Sequence, residues 1–68
     1  MSKLRRLTAK EAEALLFAAG FELARTKGSH RIYMFRTIRV VVPFHSGTTL
    51  HPKIIKQILE AIDQAKSF

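Results

Sequence analysis

Three histidines stand in a chain of 68 residues that has no cysteine, five carboxylates, and twelve lysines and arginines. His30 follows a Gly-Ser pair in TKGSHRIYMF, residues 26–35, where a turn gives way to a strand-like run. His45 comes after Pro43 and Phe44, and His51 precedes Pro52. Imidazole titrates nearest neutral pH, so each is a candidate proton carrier. The three lie fifteen and six residues apart, a spacing that matches no compact metal-ligand motif, and no Cys completes one. A metal centre is therefore not expected. A Ser-His-Asp set is not expected either, because the acidic residues fall on helical stretches and Glu22 alone lies among the strands. Three widely spaced glycines make no phosphate-cradling loop, which argues against a nucleotide or other cofactor.

The neighbourhood of His30 is cationic, with Arg25, Lys27 and Arg31 close in sequence. Such neighbours oppose the charged imidazolium and favour a neutral ring able to accept a proton, and they can also hold phosphate. Successive strand residues point to opposite faces, so Arg31 is expected to face away from His30, which leaves Arg25 and Lys27 the nearer candidates. His30 shares parity with Ile32 and Met34, and Arg31 with Tyr33 and Phe35. The pattern alone does not say which set faces the interior. Taken on these residues alone, a turn-flanking histidine that bonds a nearby carbonyl, or contacts phosphate without catalysis, is the commoner arrangement.

Elements that could position these groups follow from period and punctuation. Thr8 and Glu11 form a T-x-x-E capping box, so a helix should begin at about residue 9, with Ala12, Leu15, Leu16 and Ala19 as its apolar stripe and Gly20 as its left-handed stop. Phe21, Leu23 and Arg25 then alternate with Glu22, Ala24 and Thr26, and Lys27-Gly28-Ser29 supplies a hairpin turn. SHRIYMF is rich in aromatic and β-branched residues; IRVVVPF follows, with Ile38, Val40 and Val42 on one face until Pro43 stops the pairing. HSGTTLH reads as a loop, in which Leu50 tucks inward and His51 caps or flanks a helix from about Pro52 to Ala65. Ile55, Ile58, Leu59 and Ile62 are its expected stripe. The order α-β-β-β-α predicts a single-domain, two-layer α+β sandwich, with a three-stranded antiparallel sheet, both helices on one face, and a basic segment at residues 1–7.

A net charge of +7 on so short a chain points to a polyanionic partner, nucleic acid above all; an acidic protein is the alternative. Lys3, Arg5 and Arg6, the hairpin residues Arg36 and Arg39, and Lys53 and Lys56 on the last helix are further cations. The aromatic residues read as core or core edge, with Tyr33 and Phe44 the candidates for stacking on a base. No run of apolar residues is long enough to span a membrane, no apolar leader follows MSKLRR, and the absence of Cys fits a reducing cytoplasm.

The element order is that of the double-stranded-RNA-binding domain, and three sequence words narrow it. GFELARTKGSHRIY, VVVPFHSG and LHPKIIKQIL, with G-S-H opening the second strand, V-P-x-H closing the third and L-x-P-x-x-[IL] entering the last helix, resemble the HicA family of mRNA-cleaving toxins. The resemblance runs from Leu7 to Ala65. It departs at the last helix, where Leu50, His51, Pro52 and Lys53 stand in place of the family's usual L-K-P-G. It implies a type II toxin, a metal-independent endoribonuclease acting on mRNA and neutralised by a HicB-like antitoxin. His30 would be its catalytic residue and His45 a second candidate. Arg25, Lys27, Ser29, Arg31 and Lys53 are the expected RNA contacts. A non-catalytic RNA-binding module of the same architecture is the alternative.

Overall fold

A computed structural model describes residues 6–44 and 49–67. His45, Lys3 and Arg5 lie outside the described residues.

Helix α1 spans Ala9–Ala18 and is closed at both ends by local chemistry. At its start the Glu11 N–H donates to Thr8 Oγ1 at 3.2 Å, and Glu11 Oε1 accepts from the Thr8 N–H at 2.9 Å. A cap of this kind contributes roughly 1 kcal/mol. At its end the Phe21 N–H donates to the Leu16 carbonyl and the Gly20 N–H to that of Phe17, the paired bonds of a Schellman stop. Gly20 takes φ +100°, a conformation that favours glycine, and a Cβ there would press on the Phe35 ring at 3.1 Å from Cε1.

Strands β1 (Glu22–Lys27), β2 (His30–Phe35) and β3 (Ile38–Pro43) form one antiparallel sheet in sequence order. Two-residue turns join them. Gly28 supplies a positive φ of 59° in the first, as its sequence promised, whereas in the second the non-glycine Arg36 takes φ 55°, which its sequence did not signal. Two other expectations change. Pro43 does not stop the ladder: it pairs with His30 at the outer edge, where a missing N–H costs nothing, and the next N–H, of Phe44, donates to the Ser29 carbonyl. The alternation of β1 is broken by a bulge at Ala24, because Leu23 pairs with Tyr33 and Arg25 already pairs with Ile32.

Helix α2 spans Pro52–Ala65. His51 is its N-cap: its Nδ1 accepts from the Lys53 N–H at 3.0 Å, with Pro52 in the first turn. An antiparallel bridge between Thr8 and Thr49, continued by the Leu50 N–H donating to the Leu7 carbonyl at 2.7 Å, ties the start of α2 to the start of α1. Both helices pack on the same face of the sheet, over a core in which Leu7, Leu16, Tyr33, Val42 and Ile58 are sealed. The other face has no covering layer among the described residues. Neither helix is long and apolar enough to cross a membrane.

The α2 stripe is rotated from its expected phase. Ile55, Ile58, Ala61 and Ala65 are the buried residues, while Leu59 and Ile62 are only partly covered. Leu59 and Ile62 instead turn toward α1, where they face Leu15, Ala18 and Ala19. Ile58→Ala should therefore cost about 2–5 kcal/mol in urea unfolding and Ile62→Ala clearly less. The opposite order would mean that the helix is packed through its larger flank.

Candidate functional site

The parity of β2 decides what the site can be. Tyr33 is sealed beneath α1, so Arg31 and Phe35 share its face, and His30, Ile32 and Met34 stand on the open one. Directly paired residues lie on the same face, which assigns the neighbours. Opposite His30 are Lys27 on one side and Pro43 on the other; opposite Ile32 are Arg25 and Val41; opposite Met34 are Glu22 and Arg39. The open face thus carries an aliphatic centre bordered by Arg25, Lys27 and Arg39, with His30 exposed at the hairpin end. Among the described residues these three cations have no ion-pair partner.

Arg25 and Lys27 join His30 on this face while Leu23 looks inward, and this combination depends on the bulge. Without the extra residue at Ala24, Leu23 would share the outward face of Arg25 and Lys27. Arg39, read from sequence as a hairpin-tip residue, proves to belong to the open face. It stands four residues along β2 from the level of His30, a distance of roughly 13 Å at strand rise.

Arg31 is not brought together with His30. Its Nη1 lies 3.0 Å from Oε2 of Glu13 on α1, and its guanidinium sits 4.0 Å from the centre of the Phe44 ring. The same Glu13 oxygen accepts a 2.5 Å hydrogen bond from the Tyr33 hydroxyl. Tyr33, fully buried, is therefore not placed to stack on a base, and Phe44 already carries Arg31. Glu13 had no motif to announce it. Only its position one turn before Phe17, on the flank of the α1 stripe, could have hinted at an inward partner. Ser29 is exposed in the β1–β2 turn, and Lys53 is exposed in the first turn of α2. Among the described residues no three His, Cys, Asp or Glu side chains gather as metal ligands would.

Burial, and then the Glu13 carboxylate, push the Tyr33 hydroxyl well above the ordinary tyrosine pKa of 10.0. The folded protein therefore keeps this proton to higher pH than the unfolded chain does. The stabilisation is complete below about pH 10 and drains away as alkali is added beyond it. Tyr33 is the only tyrosine, so phenolate absorbance reads it alone. Its ionisation should coincide with loss of the far-ultraviolet circular dichroism signal. An ordinary single-site titration near pH 10 in a still-folded chain would contradict this account of the pair.

The family model for the HicA toxin of bacterial toxin–antitoxin systems matches residues 9–65. No curated protein sequence and no solved structure matches the chain. The matched span opens on the first residue of α1 and closes on the last of α2, taking in every element of the fold. The chain belongs to the HicA toxin family of bacterial toxin–antitoxin systems.

Proposed function

We propose that this toxin is a cytoplasmic endoribonuclease that cleaves mRNA on the open face of its sheet, with His30 as general base, and that a HicB-like antitoxin neutralises it. The observation that carries the reading is the exposure of His30 at the hairpin end, on the face that also holds Arg25 and Lys27. Neutral imidazole takes the proton from a ribose 2′-hydroxyl, and the 2′-oxygen attacks the adjoining phosphorus. The bond to the 5′-oxygen breaks, and that oxygen leaves with a proton from a general acid. His45 is our candidate for the acid. The products are a 2′,3′-cyclic phosphate and a 5′-hydroxyl end, and the step needs no metal.

Arg25 and Lys27 would neutralise the phosphate whose charge grows during attack. Arg39, roughly 13 Å along the sheet from His30, would hold the backbone farther along, while Ser29 and Lys53 would contact it around the hairpin and the start of α2. Arg31, held by Glu13 and Phe44, would act by fixing the strand that carries His30.

His30→Ala should lower cleavage of a labelled mRNA by about 100-fold or more in buffer containing a chelator, with the circular dichroism spectrum unchanged. Cleavage at the parent's rate would remove His30 from the chemistry. RNA binding by the parent without any product would instead favour a non-catalytic RNA-binding module. Lys27→Gln should weaken RNA binding and reduce the steepness of its salt dependence by roughly 0.7 in the logarithmic slope, the value for one phosphate contact on a single strand. An unchanged slope would place Lys27 off the backbone.

A further inference from the structure

Helix α1 is apolar on every side in its second half. Ala14, Leu15, Leu16, Phe17, Ala18 and Ala19 form an unbroken run, yet only Leu16 among them is buried. A helix that is hydrophobic all round is normally enclosed all round. Here Ala14, Phe17 and Ala18 are exposed, Phe17 at 48%, and Leu15 and Ala19 are only partly covered. Helix α2 behaves differently, its exposed positions being charged or polar apart from Pro52 at its first turn.

The uncovered surface continues to both sides of α1. On the β1 side the Phe17 ring meets Tyr33 edge-on, with centroids 5.8 Å apart, and Leu23, which pairs with Tyr33, is 40% exposed. On the α2 side Leu15, Ala18 and Ala19 face Leu59 and Ile62 across a groove of about 320 Å³, which Lys66 also lines. This is the flank toward which the rotated stripe of α2 turns its larger residues. Lys10 stands one turn before Ala14 on α1, so lysines mark both ends of the surface.

We propose that this face of α1, with the groove beside it, is the docking site for an acidic amphipathic segment of the antitoxin. The proposal rests on the toxin–antitoxin reading above. Contiguous exposed apolar surface on a small domain marks a protein contact, and the flanking lysines, on a chain of net charge +7, select a partner that borders its apolar residues with carboxylates. RNA does not suit this face, because aliphatic side chains offer nothing to phosphate and the one aromatic ring is engaged edge-on with Tyr33. A second copy of the chain would bring like charges together.

The test uses the full chain and the purified product of the reading frame adjoining its own, titrated by calorimetry. Ala14→Lys with Ala18→Lys adds charge at exposed helical positions without removing a contact, and lysine is a good helix former. This double variant should keep the parent's RNA cleavage and circular dichroism and bind the antitoxin roughly tenfold or more weakly. Lys10→Glu with Lys66→Glu should weaken binding several-fold and flatten its salt dependence. Undiminished binding by the alanine variants would overturn the docking site while leaving the toxin reading in place. Failure of the parent itself to bind would overturn the docking site together with the proposed antitoxin partner. Sedimentation of the chain alone as a dimer that the alanine variants dissolve would assign the face to self-association and overturn the proposal as well.

Discussion

The arrangement of this toxin depends on one carboxylate. Glu13 accepts from both the Tyr33 hydroxyl and the Arg31 guanidinium, and so fastens α1 to the middle of the central strand. A buried phenol without a partner would cost about 1–3 kcal/mol, so the strand cannot turn over without losing both the burial of the ring and its hydrogen bond. With Tyr33 and Arg31 committed inward, alternation leaves His30 no place but the open face. The exposure of the candidate catalytic group is thus a consequence of where the core is pinned. His30 itself needs no tether to hold it outward.

The bulge at Ala24 solves the complementary problem on the neighbouring strand. Phe21 and Leu23 lie on the helix side, whereas Lys27 is held opposite His30 by the tight turn at Gly28 and Ser29. An unbroken strand of period two cannot satisfy both demands, because residues 21, 23, 25 and 27 would all share a face. One extra residue resets the alternation between Leu23 and Arg25, so the inward aromatic end and the outward cationic end belong to a single strand.

Legibility in the sequence followed the range of each interaction. Signals confined to one turn of chain were readable: the Thr8–Glu11 box, the stop at Gly20, the hairpin glycine, the cap at His51 and the ends of α2 all stand where the local chemistry placed them. The element order and the family came with them. Arrangements that arise between elements were not readable. The bulge has no residue signature, since Ala24 is an ordinary strand residue and the break exists only as a register between two strands. The phase of α2 was misjudged because Ala61 and Ala65 carry too weak an apolar signal to be read as part of its buried stripe. With Ile55 and Ile58 they form the buried face, and Leu59 and Ile62 pack at its margin. The facing of His30 could not be settled because both parity sets of β2 contain large apolar residues. It took the partner on α1 to decide between them.

The same economy of carboxylates that exposes the site also shapes the rest of the surface. There are five acidic groups against twelve basic ones, and Glu11 and Glu13 are spent on a cap and on the pin between helix and sheet. Few remain to neutralise the surface cations, so the open face stays positive, as suits a polyanion. On the far side of the sheet, α1 shows the opposite character, with aliphatic groups in excess of what its own core can use. A chain of this size has little core area to spare, so apolar surface left outside is area withheld from its own stability. Covering it with another protein would stabilise the folded toxin by mass action. The fold thus presents a cationic face and an apolar one on opposite sides of a single sheet, with Tyr33 and Glu13 fastening the helix to the strand between them.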